Sequence, residues 1–123
     1  MPPPERPNGN ASVAVPAGVR IVAANVCASL STSGPWSCDA VDAVTTPGRA
    51  AYYTRIASPS AMRVQHRWYR GTSLRQSVTL SIAANPSAGY RTFSRQTLSP
   101  GAWRVELRAA DGALLHEAAF DVR

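Results

Sequence analysis

The sequence predicts an all-β protein: a single immunoglobulin-like or fibronectin-III-like antiparallel β-sandwich of about seven strands. Apolar and polar residues alternate with period two along several segments, and clusters of turn residues separate those segments at regular spacing. Helical periodicity is weak after residue 40. The chain has 123 residues, a length that fits one domain with one hydrophobic core.

The first 18 residues are expected to form a proline-rich linker or tail, and the sandwich domain is expected over residues 19–123. The opening segment, Met1–Pro7, contains four prolines and lacks the basic-then-apolar order of a secretory signal. The chain contains no stretch of about 18 apolar residues, so we predict no membrane-spanning segment.

Three strands are predicted from their composition and from the turn residues beside them. Val19–Leu30 begins as a β-prone run and is then interrupted by small polar residues. Ala50–Ala57 lies between two proline-containing turns, and Gly89–Gln96 is bounded in the same way.

The two cysteines, Cys27 and Cys38, are expected to form a disulfide bond across a turn-rich segment. Such a bond would stabilise the fold by about 3 kcal/mol in the chain-entropy model and would indicate an oxidising compartment. The alternative is two buried thiols in a cytosolic protein. A metal site is not expected, because the chain has neither a Cys-x-x-Cys motif nor histidines near the cysteines.

A first hairpin is predicted around the turn residues Arg70–Ser73. One set of alternating positions before and after the turn is expected to face the core: Met62, Val64, His66, Trp68, Leu74, Gln76, Val78, Leu80 and Ile82. A loop with an odd number of residues keeps this set on one face and places His66 opposite Val78 and Val64 opposite Leu80.

A second hairpin is predicted around Asp111-Gly112, a dipeptide typical of two-residue β-turns. A two-residue turn predicts the cross-strand pairs Leu107 with His116, Val105 with Ala118, Trp103 with Phe120, and Glu106 with Glu117. The last pair brings two like charges together, which is mildly unfavourable.

The outward side of the two hairpins is the candidate binding surface. The formal net charge is +6, and all thirteen basic side chains are arginines. If the hairpins share one sheet, its outer face, here called the arginine face, carries Arg63, Arg67, Tyr69, Arg75, Arg104 and Arg108. Guanidinium groups bind carboxylate or phosphate bidentately, and a tyrosine ring can stack on a sugar or base.

The alternative is a solvated strand face whose arginines pair with Glu106, Glu117 and Asp121. Arg91 and Arg95 lie on another strand, outside this face.

No catalytic residue is assigned, and the protein is expected not to be an enzyme and to need no cofactor. His66 and His116 fall on inward positions and are interpreted as core or edge histidines. The chain has no Gly-x-Ser-x-Gly motif, few acidic residues for paired-carboxylate chemistry, and no glycine-rich phosphate loop.

Several short motifs, in order along most of the chain from about Val19, resemble one known family. They are Tyr52-Tyr53-Thr54-Arg55, His66-Arg67-Trp68-Tyr69-Arg70-Gly71, Gly89-Tyr90-Arg91-Thr92-Phe93-Ser94, Gly101-Ala102-Trp103-Arg104-Val105-Glu106-Leu107, Asp111-Gly112 and Phe120-Asp121-Val122. The family they resemble is the bacterial domain of unknown function 2914. The resemblance implies a domain at the C-terminal end of a bacterial protein, often after a membrane anchor or a proline-rich linker, with no established activity and no catalytic residues to carry over.

These observations predict a non-catalytic accessory binding or interaction module of a bacterial cell-envelope protein. It is expected to be periplasmic or extracellular, tethered through the N-terminal linker, and to bind an anionic glycan or a protein through the arginine face. One alternative is a purely structural domain. Another is a weak nucleic-acid binder, which is disfavoured because acidic residues share the face and no nucleic-acid-binding motif is present.

Overall fold

The computed structural model describes residues 18–123, so the predicted linker lies outside the described residues, apart from Gly18. In this part of the chain there are nine strands and no helix. The strands are β1 (Arg20–Ser31), β2 (Ser37–Ala40), β3 (Val44–Thr45), β4 (Gly48–Ala57), β5 (Met62–Arg70), β6 (Ser73–Ile82), β7 (Tyr90–Leu98), β8 (Gly101–Ala109) and β9 (Leu114–Val122).

Two sheets pack face to face and confirm the all-β sandwich. One sheet has the order β2–β1–β4–β7 and the other has the order β3–β9–β8–β5–β6. Seven of the strands correspond to those predicted. The short strands β2 and β3 were not predicted: β2 returns alongside β1 as a hairpin, and β3 pairs with β9 in parallel.

The core lies between the two sheets and takes its largest side chains from the inward positions of β4, β5 and β8. Tyr52, Ile56, Val64, Trp68 and Leu107 are completely buried. Tyr52 packs edge-on against Trp68, with their ring centroids 6.4 Å apart, which joins one sheet to the other. The period-two pattern therefore identified the core-facing sides of β5 and β8.

The β5–β6 hairpin has the predicted pairs but a different loop. His66 lies opposite Val78 and Val64 opposite Leu80, as predicted. The loop contains two residues rather than an odd number, because Arg70 pairs with Ser73. A β-bulge then inserts Arg75 as an extra residue on β6 and restores the predicted register.

Leu74 is a correction that follows from this bulge. It was predicted to face the core, but it lies opposite Tyr69, on the turn side of the bulge, and is 50% exposed. The inserted residue shifts the alternation by one position, so Leu74 belongs to the outer face of the sheet.

The β8–β9 hairpin shows the same compensation. All four predicted pairs are present, including Glu106 opposite Glu117. However, the Gly112 amide donates to the Ala109 carbonyl (2.9 Å) and the Ala109 amide to the Ala113 carbonyl (2.8 Å), which closes a three-residue loop. Gly112 has φ +97°, the left-handed conformation expected where a three-residue loop meets its bulge. A second bulge, at Leu115, restores the register, so the predicted two-residue turn was wrong although its pairs were right.

Candidate functional site

The outer face of β5 and β8 brings four of the six predicted arginine-face residues together. Tyr69 lies directly opposite Arg104, and the two neighbouring outward pairs are Arg67 with Glu106 and Gln65 with Arg108. Arg63 continues the same outward row of β5 and is exposed. Arg75 is exposed but is the inserted residue of the β6 bulge, so alternation does not place it in this row as the sequence predicted.

Glu106 lies at the centre of the face beneath two arginines and is only 4% exposed. The Nε of Arg108 donates to its Oε1 at 2.8 Å, and the Nε of Arg104 lies 3.3 Å from its Oε2. The hydrogen bond from Arg108 is the main cause that lowers the pKa of Glu106, against the opposing effect of burial. The same hydrogen bond raises the pKa of Arg108. Glu106 therefore stays ionised and neutralises part of the positive charge.

Arg104 is held mainly by stacking. Its guanidinium carbon lies 4.3 Å from the centroid of the Tyr69 ring, a cation–π contact. Its Nε atom is buried and lies close to Glu106, but the two groups are not aligned for a hydrogen bond. The Arg104 side chain as a whole remains 36% exposed. On the adjacent strand, the Nε of Arg67 donates to Oε1 of Gln65 at 3.1 Å. Both guanidinium groups are thus positioned by contacts within the sheet.

His66 belongs to a buried polar network, as the interpretation of a core histidine predicted. Its Nδ1 lies 2.8 Å from Oγ of Ser94, its Nε2 lies 3.1 Å from Oγ1 of Thr54, and the Trp68 indole donates to Ser94 at 2.9 Å. The Ser94 hydroxyl accepts a hydrogen bond from Trp68, so its own hydrogen can be donated to Nδ1 of His66. The ring proton of neutral His66 then lies on Nε2. Burial lowers the pKa of His66 to about 3, so the ring is neutral at physiological pH.

His116 lies at the margin of the core. Its Nδ1 shares a 2.8 Å hydrogen bond with the Tyr52 hydroxyl, and the two rings stack with centroids 6.2 Å apart. Burial raises the pKa of Tyr52, so its hydroxyl stays protonated. Two surface cavities, one of about 260 Å³ beside Arg49 and one of about 250 Å³ beside Asp121, are lined by neither histidine.

Residues 18–123 offer neither a metal-binding cluster nor a membrane-spanning helix. This part of the chain contains no group of three or more histidine, cysteine, aspartate or glutamate side chains placed to hold a metal ion. It also contains no helix with the length and apolar character needed to cross a membrane.

The predicted disulfide bond between Cys27 and Cys38 is present. It links β1 to β2, where Leu30 pairs with Cys38 and Cys27 pairs with Ala40. The bond therefore closes the hairpin whose loop carries Trp36.

Sequence reasoning missed an aromatic cluster on the outer face of the other sheet. The ring of Trp36 lies 5.8 Å from Tyr53 and 5.6 Å from Phe93, between centroids. The guanidinium of Arg95 lies 4.6 Å from the Phe93 centroid. The alternation of side chains along each strand could have identified this cluster. Tyr53 and Phe93 alternate with residues that face the core, so both side chains are expected on the outer face of the sheet.

Comparison with known proteins gives a family and several structural likenesses. The family model described as "Protein of unknown function (DUF2914)" matches residues 61–122. No curated protein matches the chain. Among solved structures, the chain is similar to a Se-Met labelled β-glucosidase from Kluyveromyces marxianus, with a TM-score of 0.42 and 10% identity. The alignment covers 82% of this chain but only 14% of that chain.

Proposed function

The chain belongs to the DUF2914 family of proteins of unknown function, and from that premise we propose that it is a non-catalytic binding module of a bacterial cell-envelope protein. Its arginine face binds an anionic partner, either a glycan or a protein. The carboxylate or phosphate groups of that partner are the groups recognised.

The stacked pair Arg104–Tyr69 is the single observation that carries this function. The ring and Glu106 hold the guanidinium in one orientation before any ligand arrives, at 4.3 Å and 3.3 Å respectively. Pre-ordering an arginine reduces the side-chain entropy lost on binding. Arg67, fixed through its Nε by Gln65, adds a second positioned guanidinium on the next strand. Each guanidinium can engage an oxyanion through its terminal nitrogens.

The charge of the face also supports an anionic partner. The outward rows of β5, β8 and β9 carry four arginines against three acidic residues, which leaves a net formal charge of +1. These residues are Arg63, Arg67, Arg104, Arg108, Glu106, Glu117 and Asp121. A net positive face speeds the encounter with an anion and makes the affinity depend on salt.

A non-catalytic role is supported by where His66 lies. A catalytic base or nucleophile must reach the substrate, whereas His66 is fully buried and Ser94 nearly so. The disulfide bond supports a periplasmic or extracellular location, because such bonds persist in oxidising compartments.

The test compares wild type with the double variant Arg67→Ala/Arg104→Ala. Binding is measured by calorimetry against acidic oligosaccharides, neutral oligosaccharides and an acidic protein panel, at low and physiological salt. We expect the double variant to lose about tenfold or more in affinity for the acidic partner. The matched control, Arg49→Ala, removes an exposed arginine from the other sheet and should bind as wild type.

Three outcomes would contradict this function. If the wild type binds nothing, the purely structural alternative is favoured. If the double variant binds as tightly as wild type, the arginine face is not the site. If duplex DNA binds best, with a steep logarithmic dependence on salt, the nucleic-acid alternative is favoured.

A further inference from the structure

The outer face of the β2–β1–β4–β7 sheet carries an arginine pair that no acidic residue nearby explains. Arg55 on β4 lies directly opposite Arg91 on β7. Like charges directly opposite each other on neighbouring strands destabilise a sheet. The next outward pairs along the same two strands are Tyr53 with Phe93 and Ala51 with Arg95.

Acidic side chains are distributed unequally between the two sheets. In the described residues, neither β4 nor β7 contains an aspartate or glutamate, and both described ion pairs involve Glu106 on the opposite sheet. The arginine face is therefore partly neutralised from within. Within residues 18–123, the Arg55–Arg91 pair has no such partner.

Arg55 is held in a fixed position while one of its donors lacks an acceptor. Its side chain crosses Gly89, where an added Cβ would lie 3.0 Å from Cγ of Arg55 and 3.2 Å from Cγ2 of Val22. The absence of a side chain at Gly89 thus makes room for Arg55. The Nε of Arg55 is buried and has no hydrogen-bond partner among the described residues. A buried donor without an acceptor is destabilising, so Arg55 retains hydrogen-bonding capacity that no described residue uses.

The aromatic cluster supplies a surface of different chemistry beside the arginine pair. Along an extended strand, Tyr53 and Phe93 lie about 7 Å from Arg55 and Arg91, which is close to the size of one sugar ring. Both rings, like Trp36, are partly exposed. Arg95 stacks on Phe93 and donates to the Leu30 carbonyl at 3.2 Å, so it helps hold the cluster in place. Aromatic rings pack well against the apolar C–H face of a sugar.

We propose that Arg55 and Arg91, together with Tyr53 and Phe93, form a second binding site, which takes a carboxylate-bearing oligosaccharide. The two guanidinium groups bind the carboxylate, and the aromatic rings contact the sugar ring next to it. An acidic saccharide fits better than a simple anion because the positive pair and the apolar rings are adjacent on one face. This site lies on the opposite side of the sandwich from the arginine face and shares no residue with it.

The test uses tetragalacturonate as the acidic probe and maltotetraose as the neutral probe of equal length. Binding is followed by NMR amide shifts, which locate the site and give the affinity at that site, and by calorimetry, which gives the stoichiometry. The variant is Arg55→Met/Arg91→Gln; methionine keeps the apolar stem that lies over Gly89 and removes the charge. The matched control is Arg67→Ala/Arg104→Ala, on the other sheet, and an unchanged NMR spectrum away from the substitutions verifies the fold.

We expect tetragalacturonate to shift amides of β4 and β7 in wild type. We also expect Arg55→Met/Arg91→Gln to weaken that binding at least about tenfold, and maltotetraose to bind far more weakly. Persistence of the β4 and β7 shifts in the Arg67→Ala/Arg104→Ala control would support this second site even if the arginine face binds nothing. Absence of these shifts in wild type, an unchanged affinity in Arg55→Met/Arg91→Gln, or equal binding of maltotetraose would overturn it.

Discussion

Nδ1 of His66 lies 2.8 Å from Oγ of Ser94, and this hydrogen bond crosses the core from one sheet to the other. Ser94 also accepts from the Trp68 indole, and Thr54 binds the other ring nitrogen of His66. The sheets are therefore joined by directed polar contacts as well as by apolar packing. Because buried polar groups must keep their partners, this network specifies how the two sheets align.

Replacing Ser94 by alanine should destabilise the fold strongly for so small a change. The substitution leaves the Trp68 indole and one nitrogen of His66 buried without a partner, at a total cost of about 2–4 kcal/mol. Urea denaturation followed by circular dichroism measures the loss. Ser77→Ala, at an exposed position on β6, is the matched control and should change stability by less than about 0.5 kcal/mol. Equal effects of the two substitutions would contradict the network.

Stability should fall as the pH drops below 6.5. The pKa of His66 is about 3 in the folded protein against 6.5 for an ordinary histidine, so the unfolded chain takes up a proton that the folded protein resists. The contribution of His66 to the free energy of unfolding is therefore complete above pH 6.5 and is lost progressively toward pH 3. Between these values the free energy of unfolding changes by up to about 1.4 kcal/mol per pH unit. Urea denaturation at half-unit pH intervals measures this slope.

His66→Gln is the control for that pH dependence. Glutamine cannot titrate, so the variant should be less stable at pH 7 but should show a flatter dependence between pH 6.5 and 4.5. Below that range, protonation of Glu106 adds its own loss of stability in both proteins, because its folded pKa is also lowered. Parallel curves for wild type and variant above pH 4.5 would show that His66 is not the group responsible.

Glu106→Gln should change stability and binding in opposite directions. The substitution weakens the ionic hydrogen bond to Arg108 and should cost about 1–3 kcal/mol. It also leaves both arginines without their counter-charge, so the arginine face should bind its anionic partner several times more tightly. Glu117→Gln makes the same charge change at an exposed position on that face and should affect stability by less than about 1 kcal/mol. Weaker anion binding by Glu106→Gln would count against the arginine face.

Reduction of the disulfide bond should lower stability by about 3 kcal/mol, because the unfolded chain regains the freedom of the closed loop. It should also release Trp36 from the outer face. Trp68 and Trp103 are buried, so Trp36 should account for most of the gain in fluorescence quenching by acrylamide. The double variant Cys27→Ala/Cys38→Ala should not respond to reductant. Thiol titration that finds two free cysteines in native, exported protein would contradict the bond.

Strand faces and cross-strand pairs were predictable because a one-residue shift would expose the core residues. His66 therefore pairs with Val78, and Leu107 with His116, as the alternation required. The loops were not predictable from parity, because a bulge can add one residue and compensate for a loop of the wrong length. Arg75 and Leu115 are such residues, and no sequence signal marks either as a bulge.

The candidate sites were predictable only in part. Parity placed Arg67 and Arg104 on one face, but it did not show that Glu106 would be buried beneath Arg104. The pairing of Arg55 with Arg91 needed the knowledge that β4 and β7 are neighbours. The two arginines are 36 residues apart in sequence, and two strands of the other sheet lie between β4 and β7 along the chain. Local alternation carries no information about such long-range pairing.

The bulge at Arg75 also changes the exposed edge of the sheet. β6 is a ten-residue strand at the end of its sheet, and Arg75 is its only charged residue. Long, straight edge strands offer a continuous row of unpaired amides and carbonyls to other molecules and promote aggregation. The extra residue interrupts that row and increases the local twist, and the charge sits at the interruption. The bulge that restores the hairpin register therefore also shortens the regular edge that β6 offers to other molecules.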